Sequence, residues 1–372
     1  MLMRTLAFLL PLVSALALAV TASAESAAQT PVKVGFAFRR FTPPEPYEWR
    51  GSSTHALVTA IWYPTVASAE ARPQHFGPPN GPALFIADPV AENAAIAPSP
   101  VRLPLILLSH GTGGTAQSLA WFAAALAAQG YIVAGVNHPG NNATEPYTVP
   151  GFMLWWKRAE DLSRVLDGML ADPQFGPRID RQRIGAAGFS LGGYTMMALA
   201  GGITSLAQFE AFCQERQGQG SCKMPPEFPD LRERSEALAK SDRAYAAALG
   251  DDGKSYRDPR IRAVFAMAPA LGPVFTPASL AAIAIPVAIA AGEGDPIVPI
   301  GENAKPYAAT IPHAELTVFP GAVGHYVFLD QCTDAGRQSL PGLCVDAPGV
   351  DRAAIHQATI GMASKFFDTA LR

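Results

Sequence analysis

The sequence has few charged residues: Asp, Glu, Lys and Arg make up only 16% of its 372 residues, and the formal net charge is −3. It contains no long run of one charge and no internal repeat. A chain without a basic excess lacks the electrostatic footprint of proteins that bind nucleic acid or anionic membrane surfaces. We therefore expect no nucleic-acid partner.

Cysteine is also scarce, and the four that are present lie in the second half of the chain: Cys213, Cys222, Cys332 and Cys344. They allow three disulfide connectivities, of which we favour the two local pairs, because each closes a short loop at modest entropic cost. Zinc binding is the alternative interpretation. The spacings contain no Cys-x-x-Cys, and no histidine cluster accompanies them, which disfavours zinc. We expect neither a metal nor a cofactor.

The apolar run near the start, residues 6–20, is interrupted by Pro11 and is short for a transmembrane helix. Arg4 precedes it and Ala-Ser-Ala follows at 22–24, which is typical of a cleavable signal peptide over residues 1–24. An uncleaved N-terminal anchor is the alternative. Cleavage would remove Arg4 and no acidic residue, which leaves 27 basic against 31 acidic side chains and a net charge of −4. We expect export to the periplasm or the medium, without stable membrane insertion.

Short apolar runs alternate with helical stretches after residue 24, which predicts one α/β domain over residues 25–372, with a mostly parallel sheet wrapped by helices. The predicted strands are Val32–Phe38, Ala56–Tyr63, Leu103–Ser109, Tyr131–Asn137, Arg183–Phe189, Ile261–Met267, Ile285–Ala290 and Ala314–Phe319. The predicted helices are Ala116–Gln129, Leu154–Leu170, Leu191–Ala200, Pro277–Ala282 and Arg352–Leu371.

Two segments interrupt this alternation. Residues 71–104 contain eight prolines and are predicted to cross the surface as a long loop. Residues 203–260 are polar and charged, with helical character over Leu231–Leu249. Long excursions of this kind are often lids, so residues 203–260 are a candidate lid or cap, with a tolerated surface insertion as the alternative.

Residues 188–192 read Gly-Phe-Ser-Leu-Gly and lie between a predicted buried strand and a predicted helix. This pattern places Ser190 on a sharp turn, with its hydroxyl raised clear of the sheet and with glycines where a side chain would collide. Ser190 is therefore the candidate nucleophile. The pentapeptide also arises by chance, so the interpretation depends on three further signals in the right order.

An alkoxide nucleophile needs a base, an acid that orients the base, and donors for the oxyanion. The glycine-rich turn at 110–114 favours the backbone N–H of Thr112 as one donor, together with the N–H of Leu191. A plain turn into the next helix is the alternative. Asp295, in a Gly-Glu-Gly-Asp-Pro loop at a strand end, is the candidate acid, and Glu293 is the runner-up.

His325 is the candidate base among seven histidines. It follows the last predicted strand, and the order serine, aspartate, histidine matches the order known for this motif class. All the candidates follow strand ends, where reactive groups gather in open α/β sheets. His110 is expected to pack beneath the oxyanion turn, while His138 and Asn141 follow another strand end and are weaker candidates for the pocket. Four aromatic residues are either pocket lining or, more commonly at this spacing, packing: Tyr147, Phe152, Trp155 and Trp156.

These motifs resemble those of the α/β-hydrolases, and most closely the exported, serine-nucleophile branch grouped with dienelactone hydrolase-like proteins and platelet-activating-factor acetylhydrolases. The resemblance is carried by Ala-Ile-Trp-Tyr-Pro at 60–64, Ser-His-Gly-Thr-Gly-Gly at 109–114, Gly-Phe-Ser-Leu-Gly-Gly at 188–193, Gly-Glu-Gly-Asp at 292–295 and Gly-His at 324–325. It implies an α/β-hydrolase fold with a mostly parallel eight-stranded sheet and a cap inserted after the nucleophile helix. True dienelactone hydrolases carry cysteine where this chain has Ser190. The acetylhydrolases place the acid one strand earlier than Asp295.

The resemblance implies a serine ester hydrolase that acts through an acyl-enzyme, with Ser190 as nucleophile, His325 as base and Asp295 as acid. Small to medium carboxylic esters are the expected substrates. A lipid or phospholipid ester hydrolase is the alternative, and it predicts an exposed apolar rim near the cap. The alternative of another class is a non-catalytic binding protein on a hydrolase scaffold.

Overall fold

The strands of the protein follow the apolar runs of its sequence, as seen in a computed structural model that describes residues 33–216 and 218–372. The predicted signal peptide at 1–24 lies outside the described residues. In chain order the strands are β1 (Lys33–Phe41), β2 (Leu57–Thr65), β3 (Arg72–Phe76), β4 (Phe85–Glu92), β5 (Leu103–Ser109), β6 (Ile132–Val136), β7 (Ile179–Phe189), β8 (Ala263–Met267), β9 (Val287–Gly292), β10 (Glu315–Phe319) and β11 (Gln331–Cys332).

The strand order across the sheet is β10-β9-β8-β7-β5-β6-β2-β1-β4-β11, and β3 pairs with β4. Strands β5 to β10 run parallel to one another, whereas β2 runs antiparallel to both β6 and β1. All eight predicted strands are present and lie side by side from β10 to β1. The mostly parallel sheet is confirmed, but its described strands number eleven rather than eight.

The prediction of a long surface loop at 71–104 is wrong, because this segment contains β3 and β4. Its prolines concealed the strands. Pro73 and Pro89 lie where the register of the β3–β4 pair shifts, between Arg72 opposite Val90 and Gln74 opposite Ala87. An irregular position of an edge pair does not require every backbone N–H, so proline is tolerated there.

Helices cover both faces of the sheet, and each predicted helix is present. In chain order they are α1 (Ala120–Ala128), α2 (Val149–Met153), α3 (Lys157–Ala171), α4 (Leu191–Ala200), α5 (Leu206–Gln214), α6 (Leu231–Ser241), α7 (Arg243–Leu249), α8 (Pro277–Ala281), α9 (Ala304–Thr310), α10 (Asp334–Ser339), α11 (Pro341–Cys344) and α12 (Arg352–Ala370). Residues 116–119 form a 3-10 turn before α1. α3 begins later than predicted, because Leu154 leaves the helical region with ψ 59°.

The core lies in two layers, one on each face of the sheet. Alternate residues of β5 divide between them: Leu105 and Leu107 pack beneath α3 and α4, while Ile106 and Leu108 pack beneath α1 and α12. This alternation follows from the two-residue period of a strand. The central strands are thereby buried on both faces, and their carboxyl ends form a fixed edge for the site.

Two disulfides tie down the later part of the chain. Cys213 is bonded to Cys222 and Cys332 to Cys344, so the local pairing predicted from the spacing is confirmed. The first lies within the 203–260 insertion, and the second follows the turn that carries His325. Across residues 33–216 and 218–372, no helix combines the length and the apolar character needed to cross a bilayer.

Candidate active site

Ser190 stands at the junction of β7 and α4, in a backbone conformation that is rare outside glycine, with φ 56° and ψ −117°. The glycines on either side permit this turn. A Cβ on Gly188 would lie 2.3 Å from Gly192 O, and one on Gly192 would lie 2.0 Å from Ser109 O. Close backbone packing therefore holds the predicted strand-to-helix turn, and Ser190 lines a cavity.

The structure brings Ser190, His325 and Asp295 into one hydrogen-bonded chain. Ser190 Oγ lies 2.9 Å from His325 Nε2, and His325 Nδ1 lies 2.6 Å from Asp295 Oδ2. An ionised carboxylate only accepts, so Nδ1 carries the proton and Nε2 is left to accept the Ser190 hydroxyl proton. This is the arrangement in which an imidazole acts as a general base.

Asp295 is fixed by its own loop. Its Oδ1 accepts from the backbone N–H groups of Ile297 and Val298, each at 2.8 Å, which leaves Oδ2 for His325. The runner-up acid, Glu293, lies elsewhere: its Oε2 accepts from Gly321 N–H at 2.7 Å. The geometry therefore favours Asp295 over Glu293 as the partner of the imidazole.

Thr112 and Leu191, the predicted oxyanion donors, both line the cavity beside Ser190. Within the described ranges, neither backbone N–H has a hydrogen-bond partner. Leu191 opens α4, whose first N–H groups have no partner within the helix and whose dipole favours negative charge at that end. Two unpaired donors next to a serine hydroxyl are what an oxyanion requires.

Behind this site lies a second chain of serine, histidine and aspartate. Ser109 Oγ lies 2.9 Å from His138 Nε2, and His138 Nδ1 lies 2.6 Å from Asp161 Oδ2. All three side chains are buried, and none of them lines the cavity. His138 is thus not a pocket residue. Burial, reinforced by the Arg158 and Arg50 cations, holds the pKa of His138 well below its usual value, so the ring is neutral.

His110 packs beneath the glycine-rich turn as predicted. Its Nδ1 bonds the Gly111 carbonyl at 2.6 Å, and its Nε2 accepts from His138 N–H at 3.2 Å. Burial is the main cause that lowers the pKa of His110. A neutral ring with both nitrogens engaged in this way supports the turn rather than reacting.

The cavity in front of Ser190 has a volume of about 1010 Å³ and is largely apolar. Tyr147, Phe152 and Trp155 line it. Of the four aromatic residues for which the sequence left pocket lining and packing open, three therefore line the pocket. Trp156 is fully buried in the core and does not line it. Asn141 also lines the cavity, and its Oδ1 accepts from Gly113 N–H at 2.9 Å.

The 203–260 insertion forms one wall of this cavity. It contributes Leu206 and Phe209 from α5, Leu231 from α6 and Leu249 from α7. Phe209 meets Trp155 edge to face, with ring centroids 5.7 Å apart. Gln208 Nε2 donates to the carbonyl oxygens of residues 273 and 275 and so attaches the insertion to the main body. Charged side chains of the same segment, among them Glu227 and Arg232, line the cavity as well, so the segment that the sequence singled out as polar contributes both apolar and charged groups to this wall.

Sequence reasoning missed Arg158 and Asp161, both buried on α3; Arg158 bonds the turn at 109–113 directly, and Asp161 is linked to it through His138. A signal was present in the sequence. The two residues are three positions apart and share the helix face of Leu162 and Val165, which is otherwise apolar. Charged residues on the apolar face of an amphipathic helix mark a buried polar network.

Comparison with known proteins gives the class. Residues 105–335 match the model of the alpha/beta hydrolase family. Since the match covers more than half of the chain, the protein belongs to this family.

Among solved structures, the chain is similar to a ferulic acid esterase from Streptomyces cinnamoneus, with a TM-score of 0.61 and 20% sequence identity. The similarity covers 93% of this chain and 92% of that one. At this identity it bears on the fold, and the predicted α/β-hydrolase fold is confirmed. No curated protein matches the sequence.

Proposed function

We propose that the protein is a serine carboxylic ester hydrolase acting on small to medium esters through an acyl-enzyme. One observation carries the proposal: the bonded chain of Ser190, His325 and Asp295 opens onto a largely apolar cavity, beside two backbone donors that have no partner in the part of the chain that the structure describes. The family and the esterase among its structural neighbours are consistent with this chemistry.

In acylation, Ser190 Oγ attacks the ester carbonyl carbon while His325 Nε2 takes the hydroxyl proton. The carbonyl oxygen becomes an oxyanion held by the N–H groups of Thr112 and Leu191. Collapse of this intermediate breaks the bond to the alcohol oxygen, which leaves with the proton from His325. Asp295 remains ionised throughout and stabilises the imidazolium.

In deacylation, His325 takes a proton from a water molecule, whose oxygen attacks the acyl carbon. The second oxyanion forms at the same two donors. When it collapses, the proton returns to Ser190 Oγ and the carboxylic acid is released. The cycle consumes one ester and one water and needs no cofactor.

We further propose that residues 203–260 act as a cap that shapes the acyl pocket. A cavity of about 1010 Å³ is at the upper end of ligand pockets, which favours medium-sized acyl or aryl groups over acetyl alone. The two disulfides support export, because such bonds persist in oxidising compartments. Within the family, we propose the exported, serine-nucleophile branch grouped with dienelactone hydrolase-like proteins and platelet-activating-factor acetylhydrolases.

The direct test uses covalent labelling and a chain-length series on the chain from residue 25, purified under oxidising conditions. A fluorophosphonate should attach to Ser190, located by peptide mass spectrometry. Hydrolysis of p-nitrophenyl acetate, butyrate and octanoate should then peak at butyrate or octanoate. Labelling of any other residue would contradict the assignment of Ser190 as nucleophile. A protein that is labelled at Ser190 but hydrolyses none of the three esters would be consistent with the serine mechanism and would overturn the proposed substrate class.

A lipid ester hydrolase is the second candidate, and it is supported by exposed hydrophobic side chains that line the cavity. Five large hydrophobic side chains of the described residues are exposed, and two of these, Met224 and Ile297, line the cavity. Met224 lies on the insertion and Ile297 beside Asp295. If the protein acts at interfaces, activity should jump above the critical micelle concentration of a long-chain ester, and Met224→Ser should remove the jump.

A further inference from the structure

Arg158 is a buried arginine that reaches from α3 to the candidate oxyanion turn. Its side chain is almost fully buried, and Nη2 donates to the His110 carbonyl and, at 3.3 Å, to Ser109 Oγ. Nη1 lies 3.4 Å from Asn141 Oδ1, which in turn accepts from Gly113 N–H at 2.9 Å. The guanidinium therefore bonds one flank of Thr112 directly and reaches the other through Asn141.

The same guanidinium also reaches the helix that follows Ser190. Arg158 Nε donates to Thr195 Oγ1 at 3.2 Å, and Thr195 Oγ1 donates to Leu191 O at 2.9 Å. Thr112 and Leu191 belong to different elements, the turn after β5 and the start of α4. Arg158 is bonded to both elements, so it connects the two halves of the donor pair.

Arg158 has no carboxylate within ion-pair distance in the described part of the chain. Asp161, three residues further along α3, is already bonded to Tyr47 and Arg50 as well as to His138. Burial is the main cause that lowers the pKa of Arg158, to about 9, which leaves it a cation at neutral pH. A buried cation without a carboxylate partner is costly, so its presence beneath this turn calls for a reason.

We propose that Arg158 is a positioning residue that sets the separation of the Thr112 and Leu191 N–H groups and favours negative charge between them. The inference rests on the proposed function. The planar guanidinium of Arg158 suits this positioning, because one rigid group bonds a carbonyl, an amide oxygen and a hydroxyl in fixed directions. The cation lies in a buried, poorly screened region, where charge acts over longer distances than in water.

The experiment compares Arg158→Met, Arg158→Lys and the wild type, with active sites counted by fluorophosphonate titration. Arg158→Met should lower kcat per site by about 10²-fold, the loss typical of one oxyanion donor, with KM within about threefold. The affinity for a trifluoromethyl ketone, which forms a tetrahedral adduct with serine, should fall by a similar factor. Affinity for the product butyrate should stay within about threefold, because it gains no oxyanion. Arg158→Lys keeps the charge but not the fork and should fall between the two.

Arg352→Met is the matched control, since Arg352 is also buried but bonds Asp346 and the carbonyls of residues 330 and 343, away from the turn. It should lower the melting temperature and leave kcat per titrated site unchanged. Equal kcat and equal ketone affinity in Arg158→Met and wild type would overturn the inference alone. If Arg158→Met does not fold, Arg158→Lys is the test instead. A wild-type kcat together with a wild-type ketone affinity in Arg158→Lys would then overturn the positioning role of Arg158. A wild type that is not labelled at Ser190 overturns the proposed function and this inference together.

Discussion

The molecule contains two serine–histidine–aspartate chains with the same hydrogen-bond distances. In the chain at Ser190 and in the chain at Ser109, the serine–histidine distance is 2.9 Å and the histidine–aspartate distance is 2.6 Å. Distances alone would assign both the same chemistry. What differs is the surroundings: Ser190 lines the cavity at a strained turn, whereas Ser109 is fully buried at the end of a regular strand.

The two aspartates differ as well. Asp295 is held by the N–H groups of its own loop and serves a single imidazole. Asp161 accepts from a tyrosine, an arginine and a histidine, all buried. The first arrangement leaves a serine and an imidazole that open onto the cavity, and the second joins α3 to the loops after β1 and β6. A hydrogen-bonded triad is therefore a site only where the serine can be reached and where donors for the oxyanion stand beside it.

The largest expected effect separates the two serines. Ser190→Ala should lower kcat by about 10⁴- to 10⁶-fold, since the covalent route is lost. Ser109→Ala should lower it by no more than about tenfold, and should lower the free energy of unfolding by about 1–2 kcal/mol, because it removes a buried hydrogen-bonding partner. The measurement is p-nitrophenyl butyrate hydrolysis together with urea unfolding. Comparable losses of kcat in the two variants would break the distinction.

The two aspartates should respond in opposite ways to the same substitution. Asp295→Asn should lower kcat by about 10³- to 10⁴-fold, because an amide no longer holds the imidazole in the required tautomer, while the stability changes little. Asp161→Asn should lower the free energy of unfolding by about 3–5 kcal/mol, because it leaves Arg50 buried without its counterion. Pre-steady-state kinetics and urea titration of both variants check this. A stable Asp161→Asn would show that the buried chain does not lock α3.

The sequence predicted those features that have local signals and missed those that depend on residues far apart along the chain. Ser190 and the eight central strands have local signals, namely a glycine-bounded turn and continuous apolar runs. Strands β3 and β4 were concealed by prolines whose tolerance depends on an edge pairing that only the fold specifies. The chain at Ser109 had no motif, because its three members come from β5, the loop after β6 and α3. Because these residues are far apart in sequence, the only sign of the network in the sequence is weak: a charged residue, Asp161, on an otherwise apolar helix face.

Acid titration should report the buried chain through His138. Burial holds the pKa of His138 well below 6.5 in the folded protein. Below pH 6.5 the imidazole is therefore protonated in the unfolded state but not in the folded state. This contribution to stability is present above pH 6.5 and is lost as the pH falls, by about 1.4 kcal/mol per pH unit. Replacing His138 with Gln should reduce the slope of unfolding free energy against pH by that amount between pH 6 and 5. An unchanged slope would mean that His138 is charged in the folded state.

The smallest expected effect on kcat concerns a bond that only the buried chain has. The Tyr47 hydroxyl donates to Asp161 Oδ1, and burial with the nearby Asp161 charge raises the pKa of Tyr47, so the phenol stays protonated. Tyr47→Phe keeps the ring and removes the donor, which should lower the free energy of unfolding by about 1.5–3 kcal/mol, as for other hydrogen bonds to charged groups. The value of kcat should stay within about twofold, because Tyr47 does not line the cavity and Asp161 keeps its bonds to Arg50 and His138. A large loss of kcat without loss of stability would instead couple the buried chain to the reaction.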